Sequence, residues 1–155
     1  MLPEDSWIDL NGTRLHYLDW GNASAQPLVL LHGFCSYAHY WDPFAQSMRR
    51  HYHVIAPDLR GHGDSDRAAS YSIEDGAADS EGLVQKLKLK DIILVGLSLG
   101  GLISIYYAAS YSGRISKLVI VDIGPEFAPE GIAHIQRDLA NEPEFFDSAR
   151  QPFST

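Results

Sequence analysis

The sequence predicts an α/β protein, a three-layer sandwich in which helices cover both faces of a mostly parallel sheet of about six strands. Two observations carry this prediction. Four short runs are apolar without alternation, which is typical of parallel strands buried on both faces. The segments between the runs are long enough to be the helical crossovers that join parallel neighbours. The four runs are residues 28–31, 54–56, 92–95 and 118–121.

Ahead of these runs, the N-terminal residues predict an antiparallel hairpin. Residues 7–10 and 13–18 have the composition of strands, and Asn11-Gly12 lies between them. An Asn-Gly pair supplies the positive φ angles that a tight hairpin turn requires. We expect the hairpin to form one edge of the sheet.

Three helices are predicted between the strands. Asp42-Pro43 marks the start of the first helix with an N-cap and a first-turn proline. The second spans about residues 73–89, because Ser72 begins a capping-box pattern and lysines follow near the end. The third begins after residue 98 and continues to about Ser112, with apolar residues at helical spacing.

Composition narrows the functional classes. With 155 residues, 45% of them hydrophobic, the chain is of single-domain length, and its net charge of −8 disfavours nucleic acid and anionic lipid as partners.

A single cysteine, Cys35, and an N-terminus unlike a signal peptide predict a cytoplasmic protein. No apolar run approaches the ~20 residues of a membrane span. The sequence also has no metal-ligand cluster or phosphate-binding glycine loop, so we expect neither metal nor cofactor.

The most informative motif is Gly96-Leu97-Ser98-Leu99-Gly100, which follows a predicted strand and begins a predicted helix. A G-x-S-x-G pattern in that context is typical of a nucleophile elbow, a sharp turn that holds the serine in a strained backbone conformation. Side chains at positions 96 and 100 would collide with their neighbours. Ser98 is therefore the candidate nucleophile.

Two loops after predicted strands lie where they could support such a serine. In His32-Gly33-Phe34, the glycine lets the backbone turn, so that the N–H groups of Phe34 and Leu99 form a candidate oxyanion hole. We expect the His32 imidazole to bind the loop rather than to move protons. Residues 58–65, Asp-Leu-Arg-Gly-His-Gly-Asp-Ser, predict a tight structural loop.

Together these motifs resemble the N-terminal part of α/β-hydrolase-fold proteins over residues 7–124, with Val121-Asp122-Ile123-Gly124-Pro125 as a further match. The resemblance implies a serine hydrolase that cleaves carboxylic esters through an acyl-enzyme on Ser98. A serine at this position argues against the family's haloalkane dehalogenases and epoxide hydrolases, which attack with aspartate. Residues 1–124 would form the N-terminal part of the hydrolase core, and residues 125–155 the start of a helical cap.

The sequence departs from the family pattern at its end. Members of the family continue past the cap into two more strands, and their catalytic histidine follows the last strand. The six strands would have the order 1-2-4-3-5-6, which leaves the last strand at an open edge. Asp122 is the internal candidate for the acid, although a cap of the strand end or of the following turn is the simpler interpretation. His134 is the internal candidate for the base, although a surface histidine is the simpler interpretation.

We therefore expect this chain alone, truncated relative to that pattern, to be a weak or inactive esterase. One alternative is a non-catalytic protein that binds a small ligand on the same fold. Another is a homodimer that pairs through the open edge and completes the site in trans.

Overall fold

The computed structural model describes residues 2–10 and 12–123. It contains a six-stranded sheet with the order β1-β2-β4-β3-β5-β6, which confirms the predicted fold class and strand order. The strands are β1 (Glu4–Leu10), β2 (Thr13–Asp19), β3 (Gln26–Leu31), β4 (Tyr52–Pro57), β5 (Ile92–Leu97) and β6 (Ile115–Val121). The helices are α1 (Asp42–Met48), α2 (Ile73–Lys86) and α3 (Leu99–Ser110), and short 3₁₀ turns span Ala38–Trp41 and Ser112–Arg114.

The predicted hairpin forms one edge of this sheet. β1 and β2 pair antiparallel with Leu10 opposite Thr13, and Gly12 in the turn has a φ of +90°. β2 is also antiparallel to β4, whereas the pairs β3–β4, β3–β5 and β5–β6 are parallel. The carboxyl ends of β3, β4, β5 and β6 therefore meet at one edge of the sheet, and the site is built there.

Alternate side chains of the central strands point to opposite faces of the sheet and pack in two hydrophobic cores, one on each face. On one face, Leu28 and Leu30 of β3 pack in a buried cluster that includes Trp41 and Ala45, near and within α1. On the other face, Val29 and Leu31 join residues of α2 and α3. The core strands read as continuous apolar runs because both faces are covered.

Element boundaries differ from the sequence expectation in three places. Asp42 is the first residue of α1, not its N-cap: Trp41 is the cap, and the Asp42 carboxylate instead binds His39 Nδ1 at 2.9 Å. α2 ends at Lys86 rather than near residue 89, because Lys88 adopts a φ of +55° and the Leu89 N–H turns back to the Val84 carbonyl. The strands run longer than their apolar runs, since polar flanking residues continue the ladder.

The predicted division between a core at 1–124 and a cap at 125–155 stays a prediction, because residues 124–155 lie outside the described part. Among the helices of the described residues, none combines the length and apolar character that a membrane crossing needs.

Candidate active site

Ser98 lies in a strained turn between β5 and α3. Its backbone has φ +49° and ψ −111°, a conformation that side-chain-bearing residues rarely adopt. Two hydrogen bonds hold the turn: the Ser98 N–H donates to the Val121 carbonyl at 3.0 Å, and the Leu102 N–H donates to the Ser98 carbonyl at 3.1 Å. The fold thus presents Ser98, half-buried, at the carboxyl edge of the sheet.

The glycines on either side of Ser98 are required by close backbone contacts. A Cβ at Gly96 would overlap the Gly100 carbonyl and Ser104 Oγ. At Gly100, a Cβ would overlap the Leu31 carbonyl and lie 2.7 Å from the His32 carbonyl oxygen. Because both neighbours of Gly100 are backbone atoms, they cannot rotate away.

The loop after β3 closes against the same turn. The Gly100 N–H donates to the His32 carbonyl at 3.1 Å, and a Cβ at Gly33 would lie 3.4 Å from the Ser98 Cβ. The backbone N–H groups of Phe34 and Leu99 donate no hydrogen bond to any described residue. The structure thus places the two predicted oxyanion-hole donors on the segments that flank Ser98.

Replacing Gly100 by alanine is expected to slow acylation of Ser98 by about 10²-fold or more. The new methyl group would push α3 away from β3 and move the Leu99 N–H, and one such donor is typically worth about 10²–10³ in rate. The rate of labelling by a fluorophosphonate measures this effect. Gly113→Ala is the matched control, because a Cβ there meets nothing within 4 Å. Equal labelling rates for the two variants would contradict the prediction.

The imidazole of His32 ties the loop after β3 to the loop after β4. The side chain is fully buried, Nδ1 is 2.7 Å from the Gly33 carbonyl, and the Leu59 N–H donates to Nε2 at 2.9 Å. Since a carbonyl only accepts and an N–H only donates, the ring is neutral with its proton on Nδ1. Burial is the main reason that the pKa of His32 falls from 6.5 to about 4.

This histidine gives the stability of the chain a pH dependence. Below pH 6.5 the unfolded chain takes up a proton on His32 that the folded chain does not, so the free energy of unfolding falls as pH drops from 6.5 to about 4. The full difference corresponds to about 3 kcal/mol. Urea denaturation across pH 4–8 measures the slope. His32→Gln, which cannot titrate, should lose this part of it, and an unchanged slope would assign the dependence to other groups.

A buried hydrogen-bond network holds the loop after β4. The Asp58 carboxylate accepts from His16 Nδ1 at 2.8 Å, from the Ala38 N–H at 2.6 Å and from the Asp64 N–H at 2.9 Å. His16, Asp58 and Asp64 present potential metal-ligand atoms within 4.8 Å of one another. Because His16 and the Asp58 carboxylate already bind each other, the arrangement is explained by the loop structure that the sequence predicts. The expectation of no metal stays a prediction.

An apolar cavity of about 350 Å³ lies beside the candidate oxyanion hole. Its lining comes from the loop after β3, the loop between β4 and α2, and the first turns of α2 and α3. The lining residues are Phe34, Leu59, Arg60, Gly61, His62, Arg67, Tyr71, Ser72, Gly76, Leu99 and Ile103. Its volume falls in the range of small-molecule sites, about 300–1,000 Å³.

Two predicted catalytic residues remain, the candidate acid Asp122 and the candidate base His134. Asp122 is exposed directly after β6 with a φ of +56°, and the pairing of Leu97 with Val121 places it at the same sheet edge as Ser98. His134 lies outside the described residues. Of the other histidines, His16 and His53 bind carboxylates, and His62 is the one that lines the cavity.

Sequence reasoning missed the cavity. Between β4 and α2 the sequence predicts a structural loop only for residues 58–65, and Arg67 and Tyr71 belong to no local motif. Arg60 holds this segment against α2 through paired hydrogen bonds to Asp79 at 2.7 and 2.8 Å. Such a pairing across 19 residues has no signal in one sequence beyond the presence of both charges.

The chain is similar to proteins with several chemistries. A family model described as the alpha/beta hydrolase fold matches residues 26–155. Epoxide hydrolase 4 of Mus musculus is 32% identical over 72% of this chain and 32% of its own length. A non-heme chloroperoxidase of Streptomyces lividans is 36% identical over 74% of this chain and 43% of its own. A 3-hydroxybutyrate-oligomer hydrolase of Cupriavidus necator is 30% identical over 79% and 43%, respectively.

A solved structure has the same fold. An alpha/beta hydrolase from Novosphingobium aromaticivorans aligns with a TM-score of 0.81 and 32% identity, over 87% of this chain and 49% of its own. The chain thus spans less than half the length of the relatives named here. The fold, the strand order and the family match agree, and the chain belongs to the α/β-hydrolase fold family.

Proposed function

We propose that this chain carries the nucleophile and the oxyanion hole of a serine hydrolase that cleaves carboxylic esters. The observation that carries the proposal is that a strained serine and two backbone N–H donors lie together at one turn. Ser98 has a strained backbone with φ +49°, and two backbone N–H groups without a described partner flank it, those of Phe34 and Leu99. Strained residues of this kind cluster at active sites, and unpaired donors stabilise developing negative charge.

In the proposed reaction, Ser98 Oγ loses its proton to a base and attacks the ester carbonyl carbon. The carbonyl oxygen becomes an oxyanion that accepts hydrogen bonds from the Phe34 and Leu99 N–H groups. The tetrahedral intermediate collapses, the C–O bond to the alcohol breaks, and the alcohol leaves with the proton. Water then attacks the acyl-enzyme in the same way, which releases the acid and restores the Ser98 hydroxyl.

The base and acid belong to the proposal as well. His32 is unsuited as the base, because both ring nitrogens are engaged and burial keeps it neutral. We place the base outside the described residues, where His134 stays the internal candidate. Asp122 stays the candidate acid, since it follows β6 at the edge of the sheet where Ser98 lies.

The residue at position 98 favours esters over epoxides. The resemblance described above implies an aspartate nucleophile in epoxide hydrolases of this family, and this chain has serine there. Serine forms an acyl-enzyme that water hydrolyses, which fits the carbonyl chemistry that an oxyanion hole assists. We also propose a cytoplasmic setting, which the single cysteine supports.

The test is covalent labelling with a fluorophosphonate, which reacts with activated serines. The full chain is incubated with the probe, digested, and the adduct is located by tandem mass spectrometry. We expect one adduct, on Ser98, that heat-denatured protein does not form. An adduct spread over several surface serines, or none at all, would contradict the proposal.

One observation favours the homodimer alternative. In the described part of the chain β6 ends the sheet, and its Leu118, Val119 and Val121 side chains are 39%, 45% and 38% exposed. Edge-to-edge pairing would cover these side chains and place a second copy near Ser98. Sedimentation velocity at micromolar concentration tests for this dimer, and a monomer would exclude the homodimer alternative.

The non-catalytic alternative has a different signature. A chain that binds a small ligand but is not labelled by the fluorophosphonate would favour it.

A further inference from the structure

We propose that Arg67 selects substrates that carry a carboxylate in addition to the scissile ester. The inference rests on the proposed function, since it names the substrate class of the same site. The cavity beside the oxyanion hole contains two arginines among its lining residues, Arg60 and Arg67, and neither aspartate nor glutamate. In a chain of net charge −8, that lining is locally positive.

The two arginines differ in whether their guanidinium groups already bind other residues of the chain. Arg60 is committed to structure: its guanidinium binds both oxygens of Asp79, the Ser70 carbonyl at 2.9 Å and the Asp75 carbonyl at 3.2 Å. These bonds engage its Nε and both terminal nitrogens. Arg60 therefore builds the wall of the cavity and is not available for a ligand.

Arg67 is exposed and makes no hydrogen bond or ion pair with the described residues. Its neighbour Asp66 is turned elsewhere, since the Asp66 carboxylate accepts the Arg14 N–H at 3.1 Å. Arg67 thus brings an uncompensated guanidinium to the cavity wall. A guanidinium matches a carboxylate with two parallel N–H donors, which is the geometry that makes such pairs selective.

The remaining lining residues are mostly apolar and therefore favour a ligand that also carries an apolar group. Phe34, Leu59, Leu99 and Ile103 provide apolar surface next to the oxyanion donors, and Tyr71 also lines the cavity. A ligand that fits this pattern has an apolar chain or ring inside the cavity and an acidic group at its arginine side. The substrate class is therefore an ester whose cavity-bound part ends in a carboxylate.

The test compares 4-phenylbutyrate with its neutral amide, 4-phenylbutanamide, by isothermal titration calorimetry on the full chain. The two probes share the apolar part and differ in charge. We expect the carboxylate to bind about three- to tenfold more tightly at low ionic strength. This preference should shrink in 1 M NaCl, because screening weakens exposed pairs.

Arg67→Gln should remove the preference, so that the carboxylate and the amide bind this variant with equal affinity. Arg50→Gln is the matched control, since Arg50 is also exposed, lies outside this cavity and changes the net charge by the same amount. Equal affinities for the two probes in the parent chain, a preference that survives Arg67→Gln, or no binding of either probe would overturn the proposal.

The outcome separates this inference from the proposed function. Binding does not require a base for Ser98, so the preference is measurable whether or not the chain turns over esters. An adduct on Ser98 with equal probe affinities would retain the hydrolase and remove the charge selection. An Arg67-dependent preference without any adduct would retain a charge-selective cavity and remove the ester chemistry.

Discussion

Replacing Ser98 by alanine is expected to abolish fluorophosphonate labelling and to remove all ester hydrolysis that passes through an acyl-enzyme, a contribution worth about 10⁶-fold in a triad whose base is in place. The reason is covalent: without Oγ there is no acyl-enzyme, and water must attack the ester directly. The turn itself should persist, because its hydrogen bonds come from the Ser98 backbone. Initial rates with a p-nitrophenyl ester measure the effect.

Ser110→Ala is the control for this experiment. Ser110 is exposed at the end of α3, on the helix that begins directly after Ser98. The control should label and hydrolyse like the parent. Turnover in Ser98→Ala equal to that of the parent would mean that another group is the nucleophile.

A remainder of activity in Ser98→Ala is informative. An oxyanion hole and a binding pocket without a nucleophile still exceed water by about 10³–10⁴. Because Phe34 and Leu99 contribute backbone N–H groups, the serine substitution leaves them in place. A double variant, Ser98→Ala with Gly100→Ala, should lose this remainder, which assigns it to the geometry of the turn.

The number and order of the strands could be predicted because each core strand is a short apolar run buried on both faces. The exact ends could not, since polar residues continue the ladder where the sheet meets solvent. β3 starts at Gln26 and β4 at Tyr52, each before its apolar run. The end of α2 was missed because Lys88 takes a positive φ that glycine or asparagine usually provides.

The residues of the candidate site also differ in whether a single sequence could predict their role. Ser98, Gly96 and Gly100 form a local motif, and what the motif specifies is backbone geometry, so one sequence suffices to predict it. The cavity depends on segments distant in the chain that the fold brings together. His16 reads as an ordinary strand residue, yet its ring binds a carboxylate 42 residues away. Such pairings are fixed by the tertiary fold, and a single sequence carries no mark of the partner.

Replacing Asp58 by alanine is expected to lower the free energy of unfolding by about 4 kcal/mol, because three donors lose their acceptor and each buried donor left without a partner costs about 1–3 kcal/mol. The Asp58 and His16 side chains are 3% and 1% exposed. The substitution would leave His16 Nδ1 and the N–H groups of Ala38 and Asp64 without their acceptor. Urea denaturation monitored by circular dichroism measures the change.

The effect should reach the site as well, because Asp58 joins the two loops that border it. The Ala38 N–H belongs to the segment after the Phe34 loop, and the Asp64 N–H belongs to the loop that lines the cavity through His62. We therefore expect slower labelling of Ser98 in Asp58→Ala even where the variant is folded. Asp9→Ala, at an exposed position of β1, is the control and should change neither property. A loss below about 1 kcal/mol, the contribution of one ordinary hydrogen bond, would show that water replaces the missing carboxylate and that the loops do not depend on it.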